Sequence, residues 1–284
     1  MPSNFSFTNT KSITYDGSSY PKITSVLPTF LGELDSLEEL VLDNNLIFGE
    51  LPEEISSLTA LRKISLSRNH LNGTLPSNWS SLTALESLDL SSNFLSGTLP
   101  SQWAALTSLK ELNLGNNTFL GGIPTEWGWM TALRSINLGD NLLNGTLPVL
   151  SPTLTSLGLQ RNNLTGNVTK SFHPYPGLLW LDLSSNHFFG SLLSIGNLSL
   201  LQYLALDNNQ FSGFIPSALF SSGSLVELRL RSNNLSGMLG EVLPRHLSLL
   251  DLSGNVQLSG PLPNWNSSTL MVMNLSHTSV SGLT

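Results

Sequence analysis

The sequence of 284 residues predicts a curved α/β repeat solenoid, mostly β with short 3-10 segments, with a parallel sheet on its concave face. One pattern, L-x-x-L-x-L-x-x-N-x-L-x-G-x-L-P, recurs along the chain. Its L-x-L step alternates apolar and polar residues, as a half-buried strand does. Gly and Pro follow at fixed places, where a tight bend and a return path are needed. One unit cannot bury its own apolar side, whereas stacked units can.

The repeat frame divides the chain. The pattern starts at Leu37, Leu61, Leu85, Leu109, Leu133, Leu154, Leu178, Leu201, Leu225, Leu247 and, weakly, Leu270. We therefore expect eleven repeats of 21–24 residues in 37–284, the last incomplete, after a degenerate N-terminal repeat or cap remnant in 1–36. Strands are predicted at 39–43, 63–67, 87–91 and onward. Because Thr278 replaces the last Asn and no polar closing element follows, we expect a fragment; a complete short protein with degenerate ends is the alternative.

Each repeat places an Asn where the chain turns off the strand. An amide both donates and accepts, so stacked Asn side chains can satisfy loop backbone groups of adjacent repeats. We expect this structural role for Asn45, Asn69, Asn93, Asn117, Asn141, Asn162, Asn186, Asn209, Asn233 and Asn255.

Tryptophan recurs at one repeat position. Trp79, Trp103 and Trp127 occupy the place of Ile55 in their repeats, so we expect them in the core on the convex side. Trp129 is off this pattern, which predicts partial exposure.

Composition excludes several classes of protein. Only 11% of residues are charged, the net charge is -7 and no basic cluster occurs, which argues against a nucleic-acid binder. The absence of Cys excludes a disulfide framework, a thiolate zinc site and a Cys nucleophile. No phosphate-binding, hydrolase or metalloprotease motif occurs, and we read His187, near Asp182 in sequence, as an exposed loop residue. We expect no enzyme, no catalytic residue, no metal and no cofactor.

Eleven N-x-[ST] sequons occur, more than this composition predicts. The main glycosylation candidates are Asn72, Asn78, Asn116, Asn144, Asn163 and Asn234. Asn4 and Asn266 are among the other sequons. Together with the low charge, the sequons favour an extracellular or cell-surface location. The chain itself shows neither a signal peptide nor an apolar run near the ~20 residues of a membrane span.

The repeat, with its L-x-G-x-[I/L]-P ending, resembles the plant-type leucine-rich repeat over nearly the whole chain. That resemblance implies a right-handed horseshoe and the ectodomain of a receptor-like protein or receptor-like kinase, a non-catalytic module for ligand recognition. The Trp placed third after Pro, as in Pro76 and Trp79, also resembles repeats of algal and kinetoplastid surface proteins. The helical cap with paired cysteines that plant-type ectodomains carry is missing.

The concave positions differ along the chain. Repeats three to five offer small groups such as Ser87, Asn113 and Ser135. Repeats six to nine instead carry the aromatic and arginine residues that are enriched in binding hot spots. The predicted ligand-binding residues are Arg161, Trp180, Asp182, Tyr203, Asp207, Arg229 and Arg231. The alternative is that Trp180 and Tyr203 merely pack together and that Asp207 and Arg231 form a weak surface pair.

The sequence therefore predicts a module that binds a protein, peptide or glycan, and no nucleic acid. Two alternatives stay open: the repeat portion of a receptor-like kinase, with its kinase domain or a membrane anchor outside this chain, and a repetitive adhesive or structural surface protein without a single ligand.

Overall fold

The computed structural model describes residues 9–18, 21–168, 175–265 and 267–283. The sequons Asn4 and Asn266 lie outside these residues. The chain divides into two compact units, Met1–Leu142 and Leu143–Thr284, each built from the same repeat.

The first strand of each repeat carries the L-x-L step. In unit 1 these strands are Ser12–Thr14, Glu39–Val41, Lys63–Ser65, Ser87–Asp89, Glu111–Asn113 and Ser135–Asn137. In unit 2 they are Ser156–Gly158, Trp180–Asp182, Tyr203–Ala205, Glu227–Arg229, Leu249–Asp251 and Val272–Asn274. Within each unit the strands pair in parallel and in register, so that equivalent leucines such as Leu88 and Leu112 are partners. This confirms the predicted parallel sheet and places one leucine per strand in the core.

The predicted strands were two residues too long. Backbone hydrogen bonds between repeats nevertheless continue beyond the end of the strand, since the Leu42 N–H donates to the Ser65 carbonyl at 2.8 Å. The residue that precedes the ladder Asn has a positive φ, 59° at Asn44, which ends the extended conformation.

A second strand of two to six residues follows each ladder Asn, and one more follows Thr278. These strands are Phe48–Gly49, His70–Leu71, Ser96–Thr98, Thr118–Gly121, Leu142–Thr146, Asn163–Asn167, His187–Gly190, Gln210–Phe214, Asn234–Gly237, Gln257–Leu262 and Ser279–Leu283. The repeat Gly lies in or beside the strand with positive φ, 79° at Gly97, where a Cβ would also approach the Thr74 methyl group to 2.8 Å. Glycine is thus required there by conformation and by space.

Helical turns form the opposite side of the repeats. The 3-10 turns are Thr29–Glu33, Glu53–Ser57, Ser77–Ser81, Ser101–Ala105, Thr125–Trp129 and Ile195–Asn197, and one α-helical turn spans Ser217–Phe220. In unit 1, each turn begins after an extended Pro. No helix among the described residues is long and apolar enough to cross a bilayer. The mostly β character of the predicted fold is confirmed.

Tryptophans fill the core beneath these turns, as predicted. Trp79, Trp103 and Trp127 are fully buried, and the rings of Trp79 and Trp103 stack with centroids 6.5 Å apart. Each indole N–H donates to the carbonyl of a proline in the preceding repeat, at 3.1 Å for Trp79 and Pro52. Trp129 is 70% exposed, also as predicted.

The described part of 1–36 contains the elements of a repeat. Ser12–Thr14 pairs in parallel with Glu39–Val41, and Thr29–Glu33 occupies the place of the 3-10 turn. A degenerate repeat accounts for this arrangement, while the boundary at residue 36 stays a prediction.

Candidate ligand-binding face

The Asn ladder supports the strands that carry the candidate site. Asn186 accepts the Leu164 N–H at 3.0 Å, and its amide donates to the Leu159, Leu183 and Ser184 carbonyls at 2.9–3.2 Å. Every ladder Asn accepts a backbone N–H from the preceding repeat: Asn45, Asn69, Asn93, Asn117, Asn141, Asn162, Asn186, Asn209, Asn233 and Asn255. These are the contacts that the stacked-amide interpretation requires.

The residue before each ladder Asn adopts a left-handed conformation, which sequence reasoning missed. It has a φ of 51° at the site residue Arg161 and 74° at Gly254. Five repeats carry Asn, Asp or Gly at this position, which tolerate a positive φ, and the other five carry Arg or Ser, which do not prefer it. In those other five repeats the surrounding hydrogen bonds impose the conformation.

Trp180 and Tyr203 form the centre of the site. They lie opposite each other on adjacent strands, with ring centroids 5.1 Å apart and ring planes inclined by 11°. Both side chains are half-buried. The guanidinium carbon of Arg229 lies 6.0 Å from the centre of the Tyr203 ring, which extends the aromatic ledge with a cation. We call Trp180, Tyr203, Arg229 and Arg231 the aromatic-arginine patch.

The two arginines of the patch differ in what they contact. Arg229 donates from Nε and Nη2 to the Glu227 carboxylate at 3.2 and 2.9 Å. Burial alone would lower the pKa of Arg229, but the hydrogen bond to Glu227 and the nearby negative charges, including those of Glu227 and Asp207, together outweigh it, so the pKa is raised. Arg231 is exposed, and its guanidinium has no hydrogen bond or ion pair with any described residue. Arg231 is thus the cation that a ligand can engage without breaking an existing contact.

Asp182 differs from the expectation that its position is solvent-facing. It is only 9% exposed, and one carboxylate oxygen accepts both the backbone N–H and the hydroxyl of Ser184, at 2.9 and 2.6 Å. Its strand neighbours in register are the small residues Gly158 and Ala205. One oxygen of the Asp182 carboxylate is therefore held by its own turn, and its role in ligand binding stays a prediction.

Asp207 also contacts backbone instead of pairing with the Arg231 side chain. Its Oδ1 accepts the Arg231 N–H at 2.7 Å. The pKa of Asp207 is raised to about 6, chiefly by burial and also by the charges of Asp251 and Asp182, although the Arg231 hydrogen bond and the Arg229 charge oppose the shift.

This raised pKa predicts a pH-dependent stability. The folded-state pKa lies above the usual value of 3.8, so the folded state disfavours the charged carboxylate. The stability that this group contributes is complete below the usual pKa and is lost as pH rises to the folded-state value of about 6. We expect Asp207→Asn, which can still accept the Arg231 N–H, to unfold at higher urea than the parent above pH ~6.5 and at similar urea near pH 4. Urea titrations across this pH range test it, and parallel curves for parent and variant would contradict it.

In unit 1 the sheet face is polar. Ser87, Asp89, Glu111, Asn113 and Ser135 help to line a shallow cleft of about 330 Å³. Neighbouring side chains bridge the strands, with the Asn113 amide donating to Asp89 at 3.1 Å. This face lacks aromatic anchors, which is consistent with placing the candidate site in unit 2.

The main sequon residues are all accessible. Asn72, Asn78, Asn116, Asn144, Asn163 and Asn234 are exposed. The Asn163 Oδ1 accepts a hydrogen bond from His187 Nε2 at 2.9 Å, so His187 contacts an amide in the second-strand sheet.

Comparisons with known proteins give the same architecture. A leucine-rich-repeat family model matches residues 59–119, and a second one matches 36–58 and 200–222. The crystal structure of a plant ice-binding protein is 33% identical, with a TM-score of 0.72, over 78% of this chain and 72% of that one. The chain belongs to the plant-type leucine-rich-repeat proteins. Such repeat proteins include structures with quite different ligands, so membership alone does not identify a ligand.

Other similar plant-type repeat proteins are receptors. The ectodomain of the Arabidopsis receptor kinase HAESA, in complex with an extended IDA peptide hormone, is 32% identical with a TM-score of 0.89, over 99% of this chain and 48% of that one. Receptor-like protein 32 of Arabidopsis thaliana is 36% identical over 133 residues, which is 44% of this chain. The chain spans 15% of the length of that relative and about half of the receptor ectodomain.

Proposed function

We propose that the sheet face of unit 2 binds an extended peptide outside the cell, as the non-catalytic recognition module of a receptor-like protein. The stacked Trp180–Tyr203 pair carries this proposal. Two large rings that stay half-exposed on a sheet face offer apolar area that the fold itself leaves uncovered. An extended chain laid across successive parallel strands can contact both rings.

The arginines give the patch a preference for a negative group. Arg231 offers an uncommitted guanidinium, whose planar fork suits a carboxylate or sulfate. Arg229, held by Glu227, retains its Nη1 donor beside Tyr203. A free C-terminal carboxylate of the peptide is the group that we assign to these arginines.

Related structures support a peptide as the ligand. HAESA is described in complex with the IDA peptide hormone and the co-receptor SERK1, and the receptor RGFR1 with the peptide RGF2. RGFR1 is 28% identical, with a TM-score of 0.74, over 91% of this chain and 50% of that one. A kinase domain or membrane anchor elsewhere in the longer protein, and a glycan or protein ligand in place of a peptide, remain alternatives to this proposal.

Peptide selection tests the proposal. The chain is used to select binders from a library of random linear peptides with free C-termini, and the binders are resynthesised with free and amidated ends. We expect Trp180→Ala and Arg231→Ala each to weaken binding by at least ~1–2 kcal/mol. Amidation should weaken binding to the parent much more than binding to Arg231→Ala.

Ser87→Ala and Ser135→Ala are the matched controls, since these residues occupy equivalent strand positions in unit 1. If the serine changes weaken binding and the Trp180 change does not, the ligand lies on another surface. If only bulky folded proteins bind, the peptide proposal fails.

A further inference from the structure

A polar cleft in unit 2 is lined by none of the residues of the aromatic-arginine patch. It has a volume of about 460 Å³ and is lined by residues 241–245, 264–265 and 267–269, which follow the second strands of repeats nine and ten. In unit 1 the corresponding segments form 3-10 turns that pack on one another. Among these lining residues no helical turn forms. The missing turns leave the space that becomes the cleft.

One wall of the cleft is a fixed aromatic ring. Trp265 follows its proline one residue earlier than Trp79, Trp103 and Trp127 follow theirs, and it stays partly exposed. Its indole N–H donates to the Gly240 carbonyl at 2.9 Å, and its ring stacks on Phe220 with centroids 6.2 Å apart. A Cβ on Gly240 would lie 2.8 Å from the Phe220 ring, so glycine permits this close packing. The ring is held in place before any ligand arrives.

Three polar side chains around the ring are uncommitted, whereas Ser267 and Thr269 hydrogen-bond each other and nearby backbone groups. Glu241, Arg245 and Asn264 line the cleft, and their side chains have no hydrogen bond or ion pair with any described residue. Glu241 and Asn264 also border an adjoining cleft of about 330 Å³. Ser267 and Thr269 add hydroxyl groups to the lining, beside the amide group of Asn264. Donors and acceptors thus line the same cleft as one aromatic ring.

We propose that this cleft binds a neutral saccharide. A sugar ring has an apolar face that packs on an aromatic ring, and hydroxyls that both donate and accept hydrogen bonds. Glu241 can accept from a hydroxyl while Arg245 donates to another, and the Asn264 amide can do either. An anionic ligand would pair with Arg245 but be repelled by Glu241. A cationic ligand would pair with Glu241 but be repelled by Arg245. The opposite charges of Glu241 and Arg245 therefore disfavour a ligand with a net charge, and the ring together with the surrounding donors and acceptors favours a polyhydroxylated one.

Titration with defined sugars tests the proposal. The full chain is made in bacteria, so that no sequon carries a glycan, and is titrated with cellobiose, maltose and chitobiose by calorimetry and saturation-transfer NMR. We expect at least one of them to bind with a Kd of ~1 mM or tighter, a level typical of weak, polar recognition. Asn264→Ala and Glu241→Gln should each weaken that binding by about fivefold or more, since each removes a direct hydrogen bond.

Matched variants from unit 1 serve as controls. Asn72→Ala and Glu53→Gln alter exposed residues of the same types and should leave the affinity unchanged. Trp180→Ala should also leave it unchanged, because Trp180 belongs to the sheet face. Absence of binding to all three sugars, binding insensitive to Asn264→Ala and Glu241→Gln, or tighter binding of galacturonate than of the neutral sugars would each overturn the proposal.

Discussion

Trp103→Ala is expected to lower the free energy of unfolding by about 3–5 kcal/mol. The Trp103 ring is fully buried and stacks on Trp79 at an interplanar angle of 6°. Removing it leaves a large cavity and also leaves the Pro76 carbonyl without its indole donor, which lies at 3.0 Å. Because the rings link successive repeats, the loss affects packing on both sides. Urea denaturation followed by circular dichroism measures the effect.

Two further variants separate the causes. Trp129→Ala removes the same side chain from a site that is 70% exposed, and should change the free energy of unfolding by less than about 0.5 kcal/mol. Trp103→Phe keeps an aromatic ring but cannot donate to Pro76, so it should fall between Trp103→Ala and the parent. Equal urea midpoints for Trp103→Ala and Trp129→Ala would contradict the assignment of Trp103 to the core.

The repeat frame was sufficient to predict the sheet and its core. Once the repeat length is known, equivalent positions of different repeats are expected to have the same burial. Trp103 could therefore be placed in the core, because Ile55 occupies the equivalent position. The same reasoning identified Trp180 and Tyr203 as neighbours on adjacent strands, and the structure shows them stacked. Because the unit repeats, a contact between residues of different repeats can be predicted by comparing equivalent positions.

The frame could not predict how individual polar side chains are engaged. Column position predicts that Asp182 and Asp207 face solvent, but Asp182 is folded back onto Ser184 and Asp207 accepts the Arg231 N–H. Arg229 and Arg231 share a strand face, yet only Arg229 is held by Glu227. Such choices depend on side-chain torsions and on local burial, which no repeat consensus contains. The cleft beside Trp265 escaped prediction for a related reason, since it arises where the frame is shortened.

Asn141→Leu is expected to lower the free energy of unfolding by about 1–3 kcal/mol. The Asn141 side chain is 7% exposed and accepts the Phe119 N–H at 3.0 Å. Its amide donates to the Leu114, Leu138 and Gly139 carbonyls at 3.1–3.2 Å. Leucine fills a similar space but offers no polar atom, so buried backbone groups of two repeats lose their partner. The urea midpoint reports the loss.

Asn141→Asp tests whether the ladder acts through its donor. Aspartate keeps an oxygen for the Phe119 N–H, but its second oxygen would face three carbonyl groups that Asn141 satisfies. We therefore expect Asn141→Asp to be less stable than the parent at pH 7 and to recover part of the difference near pH 3, where protonation restores a donor. Asn72→Leu, at an exposed position, is the control and should leave the midpoint nearly unchanged at both pH values. If Asn141→Leu and Asn72→Leu have the same urea midpoint, the stacked amides do not stabilise the folded state and the prediction is wrong.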